Sequence, residues 1–183
     1  MLIEILMVKY MEKILFLLLF CLVASATIVA QNQPKPCSSE QSKQFDFWLG
    51  RWDLEWTDAQ GKKQTGTNVI NKILDGCVIE ENFNGGGSPE YLGKSHSMFD
   101  APSGMWKQTW VDSSGSYLDF VGEFKDGKMM LWREFTGKEG KKVKQRMIFS
   151  NILADSIEWN WESSTDDGQT WKTNWKVLYK RQK

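Results

Sequence analysis

Turn signals recur every eight to twelve residues beyond residue 50, and this spacing limits the fold more than any other feature of the sequence. They are glycines, alone or after serine or aspartate, at Gly61, Gly76, Gly85–Gly87, Ser103-Gly104, Ser114-Gly115, Asp126-Gly127, Gly137–Gly140 and Asp167-Gly168. Glycine and aspartate adopt the positive φ angles that tight hairpins require. The segments between these turns have room only for short strands, so the spacing predicts an all-β fold without a long helix.

The segments between the turns alternate between apolar and polar residues, as half-buried strands do. Trp106, Gln108 and Trp110 share one face of their segment, and residues 157–161 and 171–180 alternate in the same way. About ten such segments follow one another. A meander of that many strands leaves two unpaired edges unless the sheet closes. We therefore predict a single closed antiparallel meander barrel over residues 45–183.

The N-terminal region contains an apolar run from Ile14 to Ala30, preceded by a lysine and ending in small residues. This is the pattern of a secretory signal peptide. We predict that residues 1–30 are removed and that the protein is exported, either to the periplasm or out of the cell. Residues 31–44 are polar and contain two prolines, which indicates a linker. The alternative is an uncleaved anchor, since the run is long enough to span a bilayer.

Two cysteines, Cys37 and Cys77, remain after removal of the signal peptide. In an oxidising compartment such a pair favours a disulfide. A loop of roughly forty residues closed in this way restricts the unfolded chain by about 4 kcal/mol. The alternative is that Cys77, which follows Gly76 in an apolar segment, is a small buried hydrophobic residue.

The charge distribution bears on the partners of this chain. The 23 basic and 23 acidic residues give a formal net charge of zero, and the two signs are interspersed. Nucleic acids and anionic membrane surfaces select basic patches. We therefore expect neither as a partner, and no stable membrane insertion after signal removal. The sequence leaves the oligomeric state open.

The first predicted strand begins with Gly50-Arg51-Trp52, inside the run FDFWLGRWDLEW. This motif resembles the opening of the lipocalins and their calycin relatives. The resemblance implies that Trp52 closes one end of the barrel under an arginine from the last strand, and Arg181 lies at the matching place. Gly50 then lets the chain bend as it enters the barrel. The resemblance therefore implies a calycin-like or lipocalin-like barrel.

The pattern from Phe45 to Arg181 also resembles an uncharacterised family of secreted bacterial domains of unknown function. The matching segments are FDFWLGRWDL at 45–54, ILDGCVIEE at 73–81, WKQTWVD at 106–112 and SSTDDGQTW at 163–171. This resemblance implies the same calycin-like barrel and carries no activity with it.

The segment Ser164–Trp171 matches the S-x-D-x-G-x-T-W motif known as the Asp-box. Its Asp166 can accept backbone N–H groups across a turn, and Gly168 can supply a positive φ angle. Sialidases carry several such boxes away from their catalytic residues. A single copy without a propeller-length repeat predicts a structural hairpin.

Polar and aromatic residues on otherwise apolar strands are the candidate ligand contacts, since a buried polar group needs a partner and a bound molecule can provide one. They are Glu80, His96, Gln108, Trp110, Arg133 and Arg146. Without the register, either Glu80 or its neighbour Glu81 can be the interior carboxylate. If Glu80, Gln108 and Arg133 converge, they suit the carboxylate or hydroxyl head of an amphipathic ligand.

His96 is the only histidine in the chain. Nitrobindin, a calycin relative, binds haem through a histidine that lies late in its sequence, whereas His96 lies on about the fourth predicted strand. We therefore interpret His96 as a hydrogen-bonding strand residue rather than a haem ligand. No metal and no other cofactor is expected.

Catalysis is difficult to build from this sequence. No nucleophile motif accompanies the single histidine. Spacing selects no catalytic pair among the acidic residues Glu80, Glu81, Asp112, Asp119 and Glu158. No catalytic residue is therefore predicted.

All ten tryptophans lie beyond residue 45, and large aromatic rings fill a small barrel or line a pocket. Together these features predict an exported, non-enzymatic carrier or sensor that holds a small hydrophobic or amphipathic molecule inside the barrel. The alternatives are a carbohydrate-binding module that uses exposed tryptophan faces and a barrel enzyme that uses an interior carboxylate.

Overall fold

The computed structural model describes residues 7, 10, 11, 13, 36–137 and 140–183. The predicted signal peptide, residues 1–30, lies outside this set apart from those first four positions, and residues 31–35 of the predicted linker also lie outside it. Contacts divide the chain into two compact units, Met1–Pro36 and Cys37–Lys183. Among the helices formed by described residues, none has both the length and the apolar character that crossing a bilayer requires.

Ten strands lie in the described part of the second unit. Their bounds are β1 Gly50–Thr57, β2 Lys63–Ile73, β3 Val78–Asn84, β4 Leu92–Asp100, β5 Met105–Asp112, β6 Tyr117–Lys125, β7 Lys128–Thr136, β8 Lys142–Ser150, β9 Ser156–Ser164 and β10 Lys172–Arg181. Short 3-10 helices lie at Gln41–Lys43, Asp46–Trp48 and Leu74–Gly76.

Each strand pairs with its neighbours in sequence, and β1 also pairs with β10, so the described strands form a closed barrel. All the pairs are antiparallel, and the closing seam aligns Trp52 of β1 with Arg181 of β10. Closure leaves no row of unpaired backbone groups at a sheet edge. The predicted fold, a single closed meander barrel of about ten strands with calycin-like topology, is confirmed.

Local sequence decides which face of a strand points into the barrel and where the strand ends. On β5, Trp106 and Gln108 are buried, whereas Lys107 between them is exposed. Between β6 and β7, Asp126 and Gly127 both have positive φ angles, 51° and 72°. Two such residues in succession form the tight hairpin turn whose twist matches that of the flanking strands.

The segment Phe45–Trp48, which we call the plug, folds into one end of the barrel. We call this end the plugged end. Phe45 and Trp48 are 0% and 1% exposed, and their rings lie 5.2 and 5.0 Å from that of Phe149. Asp46, between them in sequence, pairs with Lys72 of β2 at 2.7 Å. The plug is therefore part of the barrel core.

The predicted disulfide between Cys37 and Cys77 is present, with a Cα–Cα distance of 5.1 Å. It attaches the start of the barrel unit to the connection between β2 and β3. Within residues 36–44, which belong to the predicted linker, Ser42 is buried and its hydroxyl donates to the Cys37 carbonyl at 2.7 Å. The short helix Gln41–Lys43 contacts β4, so this part of the chain packs against the barrel.

Arg181 covers Trp52 at the plugged end, where its guanidinium carbon lies 4.1 Å from the centre of the indole ring. Two of its nitrogens donate to the carbonyls of Phe47 and Leu49, at 3.1 and 2.6 Å. Gly50 has a φ angle of 117°, and a Cβ atom there would lie 2.6 Å from Arg181 Nη1. Glycine therefore allows both the bend of the chain and the close approach of the arginine.

Candidate functional site

A cavity of about 470 Å³ lies inside the barrel, beyond the plugged end. Trp48 of the plug contributes to its floor, and Tyr91, Asp112 and Ser116 line its mouth. Most of the remaining wall is apolar. The apolar residues are Phe83, Trp110, Leu118, Phe120, Phe135, Met147, Phe149, Trp159, Trp161, Trp175 and Val177. A cavity of this volume with an aromatic wall is compatible with the binding of a small molecule.

Of the six ligand contacts predicted from the sequence, three line this cavity: Gln108, Trp110 and Arg133. The other three, Glu80, His96 and Arg146, lie on the outer face. Successive residues of a strand point to opposite faces, and the cavity-lining neighbours Glu81 and Met147 take the inward positions on β3 and β8. The interior carboxylate is therefore Glu81 rather than Glu80.

Glu81 is buried in the cavity wall, and both of its carboxylate oxygens accept short hydrogen bonds. Asn68 Nδ2 donates to Oε1 and Ser95 Oγ donates to Oε2, each at 2.6 Å. Burial raises the pKa of Glu81 to about 7, although the hydrogen bonds from Ser95 and Asn68 act to lower it. The hydroxyl of Tyr179 is 3.3 Å from Asn68 Nδ2, and burial together with the charge of Glu81 raises the pKa of this tyrosine.

Gln108 extends this network along the wall. Its Nε2 donates to Ser97 Oγ at 2.8 Å and to Ser95 Oγ at 3.3 Å. Ser95 in turn donates to Glu81, so hydrogen bonds connect β2, β3, β4 and β5. The five buried residues that form the network, which we call the polar cluster, are Asn68, Glu81, Ser95, Ser97 and Gln108.

Arg133 lies on β7 beside Gln145 of β8. Its guanidinium carbon is 4.9 Å from the centre of the Phe135 ring and 5.8 Å from that of Phe120. The Nε atom is buried without a hydrogen-bond partner, and the guanidinium forms no ion pair with a carboxylate of the described residues. Aromatic faces attract a cation but do not accept its N–H groups as a carboxylate does. The two Nη atoms of Arg133 have no hydrogen-bond partner among the described residues and are not among the fully buried polar atoms, so they are available as donors to a ligand.

At the mouth of the cavity, Asp112 accepts hydrogen bonds from Trp110 Nε1 at 2.9 Å and from the Tyr91 hydroxyl at 3.0 Å. Burial acts to raise the pKa of Asp112, but hydrogen bonds from Ser114 and Trp110 outweigh it and hold the pKa well below its usual range. Burial and the neighbouring Asp112 raise the pKa of Tyr91 to about 12. Gly93 lies against Trp110, where a Cβ atom would be 2.1 Å from the ring. These contacts hold the Trp110 ring in place.

Two side-chain pairs occupy the outer face at the predicted sites that do not line the cavity. His96 Nε2 lies 3.8 Å from Glu80 Oε1 on the adjacent strand. Arg146 pairs with Glu162 at 2.6 Å and stacks over Trp171, with its guanidinium carbon 3.9 Å from the ring centre. Both pairs use side chains that point away from the barrel interior.

The Asp-box shapes the hairpin between β9 and β10. Asp166 accepts a hydrogen bond from the Thr170 backbone N–H at 2.9 Å and from Ser164 Oγ at 2.7 Å. Gly168 has a φ angle of 89°, and Trp171 Nε1 donates to its carbonyl at 3.0 Å. The motif lies outside the cavity and makes the turn contacts that its sequence predicts.

The described cavity wall offers binding groups more than reactive ones. No cysteine, histidine or lysine of the described residues lines it, and no cluster of three or more potential metal ligands occurs in the described ranges. The wall presents aromatic faces, the polar cluster and the guanidinium of Arg133. These groups can hold an amphipathic molecule in a defined orientation.

The choice between Glu80 and Glu81 could have been made from the sequence. Ile79, Glu81 and Phe83 alternate, so Glu81 shares a face with two apolar residues, whereas Glu80 shares its face with Asn82. Asn68, Ser95 and Ser97 had no such signal, because small polar residues are equally common on the outer face of a strand. Sequence reasoning therefore missed them.

Comparisons with other proteins identify no family for this chain. No protein-family model and no curated protein matches the chain. Among solved structures, a protein described as "De novo design of a fluorescence-activating beta barrel" shares 16% identity, with a TM-score of 0.41. The match covers 75% of this chain and 95% of that chain. A likeness this low carries no argument about function.

Proposed function

We propose that this protein is an exported, non-enzymatic binding protein that holds a small hydrophobic or amphipathic molecule inside the barrel, as a carrier or a sensor. The observation that carries the proposal is the cavity of about 470 Å³, with its aromatic wall and an arginine that has no ion-pair partner among the described residues. Sites for small molecules combine an apolar wall with a few polar groups that set orientation.

The aromatic wall supplies affinity for the apolar body of the ligand. Trp159 and Trp175 pack edge to face, with ring centroids 5.5 Å apart and an interplanar angle of 87°. Phe120 and Trp161 are arranged similarly, at 5.7 Å and 79°. Apolar ligand surface buried against such rings contributes about 25 cal/mol per Å² before the costs of association.

Arg133 supplies orientation. A ligand carboxylate or hydroxyl can accept from its guanidinium, and the amide of the neighbouring Gln145 also lines the cavity. A carboxylate forms the stronger, charge-assisted hydrogen bonds with a guanidinium. The unpaired guanidinium therefore favours an amphipathic ligand with an acidic head over a purely apolar one.

Export is supported by two features. The disulfide between Cys37 and Cys77 belongs to an oxidising compartment. The apolar run Ile14 to Ala30 has the composition of a signal peptide. We infer delivery to the periplasm or the cell exterior.

The disposition of the tryptophans favours an interior ligand over a sugar bound on the outside. None of the ten belongs to the large hydrophobic residues that are exposed. Trp171, on the outer face, is covered by Arg146. A carbohydrate-binding platform needs ring faces open to solvent; of the tryptophans on the outer face, Trp171 is covered and Trp132 is only partly exposed.

Glu81 is the observation that favours the enzyme alternative. A carboxyl group inside a cavity with a pKa of about 7 has the acidity that proton transfer at neutral pH requires. Both of its oxygens, however, are already hydrogen-bonded to Asn68 and Ser95. This engagement favours a role in binding over one in proton transfer.

The test is a matched pair of arginine variants titrated with naphthoate, a compact aromatic carboxylate, by calorimetry. Arg133→Met is expected to bind naphthoate about tenfold or more weakly than the parent, since it removes a charge-assisted interaction. Arg146→Met changes the same residue type on the outer face and is expected to bind it unchanged. Equal affinity of the parent and Arg133→Met would refute the role given to this arginine.

A second measurement addresses the natural ligand directly. Protein purified from its own host is examined by native mass spectrometry, and a bound mass of lipid-like or aromatic composition is expected. A tryptophan fluorescence shift with oligosaccharides, together with no response to naphthoate, would instead support the carbohydrate-binding alternative.

A further inference from the structure

Five polar residues are buried together beside the cavity, and two of them, Glu81 and Gln108, line it. Glu81 is 6% exposed, Ser95 1% and Gln108 5%. Burying such groups costs free energy that a well-packed apolar side chain does not cost. At the plugged end, inward residues such as Met129 and Ile157 are apolar. The position of the polar cluster beside the cavity therefore points to what the cavity holds.

The direction of the hydrogen bonds determines what the polar cluster can offer. When Glu81 is ionised, the single hydroxyl proton of Ser95 is donated to its carboxylate, so Ser95 can only accept from Gln108. This orients the Gln108 amide with Nε2 toward Ser95 and Ser97. No described residue donates a hydrogen bond to Gln108 Oε1. This oxygen is also not among the fully buried polar atoms that lack a partner. It is therefore an acceptor that faces the cavity.

We propose that the polar cluster is a second ligand subsite, at which Gln108 Oε1, beside Glu81, accepts a hydrogen bond from a hydroxyl or N–H group of the ligand. The inference rests on the proposed function, because it concerns the same ligand in the same cavity. It specifies the class of ligand: a compact molecule with an acidic group at Arg133 and a hydrogen-bond donor at Gln108.

The barrel register places the two subsites within reach of one small molecule. Gln108 of β5 pairs with Phe120 of β6, and the Arg133 guanidinium on β7 lies near the same phenyl ring. Two strand spacings separate β5 from β7, which is about 10 Å along the wall. One or two fused rings with polar groups at opposite ends bridge such a distance.

The same chemistry separates this ligand class from simple fatty acids. An unbranched fatty acid held at Arg133 presents hydrocarbon to the polar cluster. It covers Gln108 Oε1 without giving it a donor, and a buried acceptor left unpaired lowers affinity. The cavity therefore selects a hydroxylated or N–H-bearing carboxylate over an alkyl one.

The test uses three naphthoates in calorimetric titrations of the full mature protein: unsubstituted naphthoate, and naphthoates with a hydroxyl or a methoxyl on the ring far from the carboxylate. The hydroxynaphthoate is expected to bind about tenfold more tightly than naphthoate. The methoxynaphthoate keeps the oxygen but cannot donate, so it is expected to show no gain. This comparison needs no variant, and folding defects cannot obscure it.

Variants assign the effect to Gln108. Gln108→Met is expected to bind hydroxynaphthoate and naphthoate with equal affinity. Gln145→Met alters another cavity glutamine that lies outside the polar cluster, and it should keep the hydroxyl preference. Arg133→Met should weaken both acids by the same factor and leave their ratio unchanged. Near-UV circular dichroism checks that each variant is folded.

The outcomes separate this inference from the proposed function. If the parent protein binds all three naphthoates equally, or methoxynaphthoate as tightly as hydroxynaphthoate, the donor subsite is refuted while ligand binding stands. If Gln108→Met keeps the full hydroxyl preference, the assignment to Gln108 is refuted. If none of the three binds, the proposed function fails and the subsite fails with it.

Discussion

Aromatic residues dominate both ends of the barrel, but they pack differently at each. At the plugged end Phe45, Trp48 and Trp52 are at most 1% exposed, and the Phe45 and Trp48 rings stack 5.1 Å apart. Trp52 Nε1 donates to the Trp48 carbonyl at 2.7 Å, and Arg181 covers the same indole. The rings pack against one another, the Trp52 indole and Arg181 are hydrogen-bonded, and Trp48 Nε1 is buried without a hydrogen-bond partner.

Around the cavity, aromatic residues do not fill the space that they surround. Trp110, Trp159, Trp161 and Trp175 are only partly buried and surround about 470 Å³. Arg133 and the polar cluster share this wall, although both are less favourable in a core than apolar side chains.

The difference arises because one end receives side chains from outside the strands. The inward rows of a ten-strand barrel do not fill its interior, since the diameter grows with the number of strands. Phe45 and Trp48 fill the plugged end from the segment before β1, and no such segment fills the other end among the described residues. We infer that the residues of the plug contribute mainly to the stability of the fold and that the residues around the cavity contribute mainly to ligand specificity.

Replacing a plug residue tests this division most strongly. Phe45→Ala should lower the free energy of unfolding by about 3–5 kcal/mol, the usual cost of deleting a fully buried phenylalanine. Phe135→Ala, at a half-buried ring beside Arg133, should cost clearly less. Urea unfolding of both variants measures the difference. Equal losses would contradict the division between the two ends.

Removing the disulfide should have the next largest effect. Cys37→Ser combined with Cys77→Ser should lower the free energy of unfolding by about 2–4 kcal/mol, because the unfolded chain regains the entropy of the open loop. Neither cysteine lines the cavity, so naphthoate affinity of the folded variant should not change. A large loss of affinity would show that the disulfide also shapes the binding site.

Glu81 makes the cavity end sensitive to pH. Its folded-state pKa of about 7 lies above its ordinary value of 4.5, so the folded protein binds the extra proton between these limits. Its contribution to stability is full below pH 4.5 and is lost as the pH rises through 7. The free energy of unfolding should therefore fall by about 2–3 kcal/mol over this window, because each tenfold difference in proton affinity corresponds to about 1.4 kcal/mol.

The matched variant for this effect is Glu81→Gln, which cannot ionise. The Asn68 amide can turn to offer its unpartnered Oδ1 to the new Gln N–H group. The difference in unfolding free energy between parent and variant, measured by urea titration from pH 4.5 to 8, isolates Glu81 from Asp112 and Tyr179, whose pKa values are shifted away from the window. A difference that does not vary with pH would contradict the raised pKa.

Substitution of Gly50 should give the smallest of these effects on stability, and it tests the contact with Arg181 at the seam between β1 and β10. Gly50→Ala should cost about 1–3 kcal/mol, because the residue has a positive φ angle and a Cβ atom meets Arg181. Gly61→Ala is the control, since Gly61 also has a positive φ, 79°, but no atom within 4 Å of the added Cβ. If both variants lose the same stability, the contact with Arg181 has no measurable effect.

Several elements of this structure could be read from local sequence. The hairpin at Asp126-Gly127 follows from residues that tolerate positive φ, and the inward face of β5 follows from the alternation of Trp106, Gln108 and Trp110. The contact between Trp52 and Arg181 follows from a family resemblance rather than from spacing. The polar cluster escaped prediction because its members come from four strands that meet only in the closed barrel.

The amino-acid sequence by itself determined the strands, their turns, the closed sheet and the cysteine pair, because each depends on local periodicity, turn chemistry or residue type. Tertiary structure alone decided that the polar cluster assembles beside the cavity, that Arg133 lacks a partner carboxylate among the described residues, and that the plug stops short of the far end. The physical reason is that burial and hydrogen bonding between strands depend on register and closure, which set the distances between residues far apart in the chain.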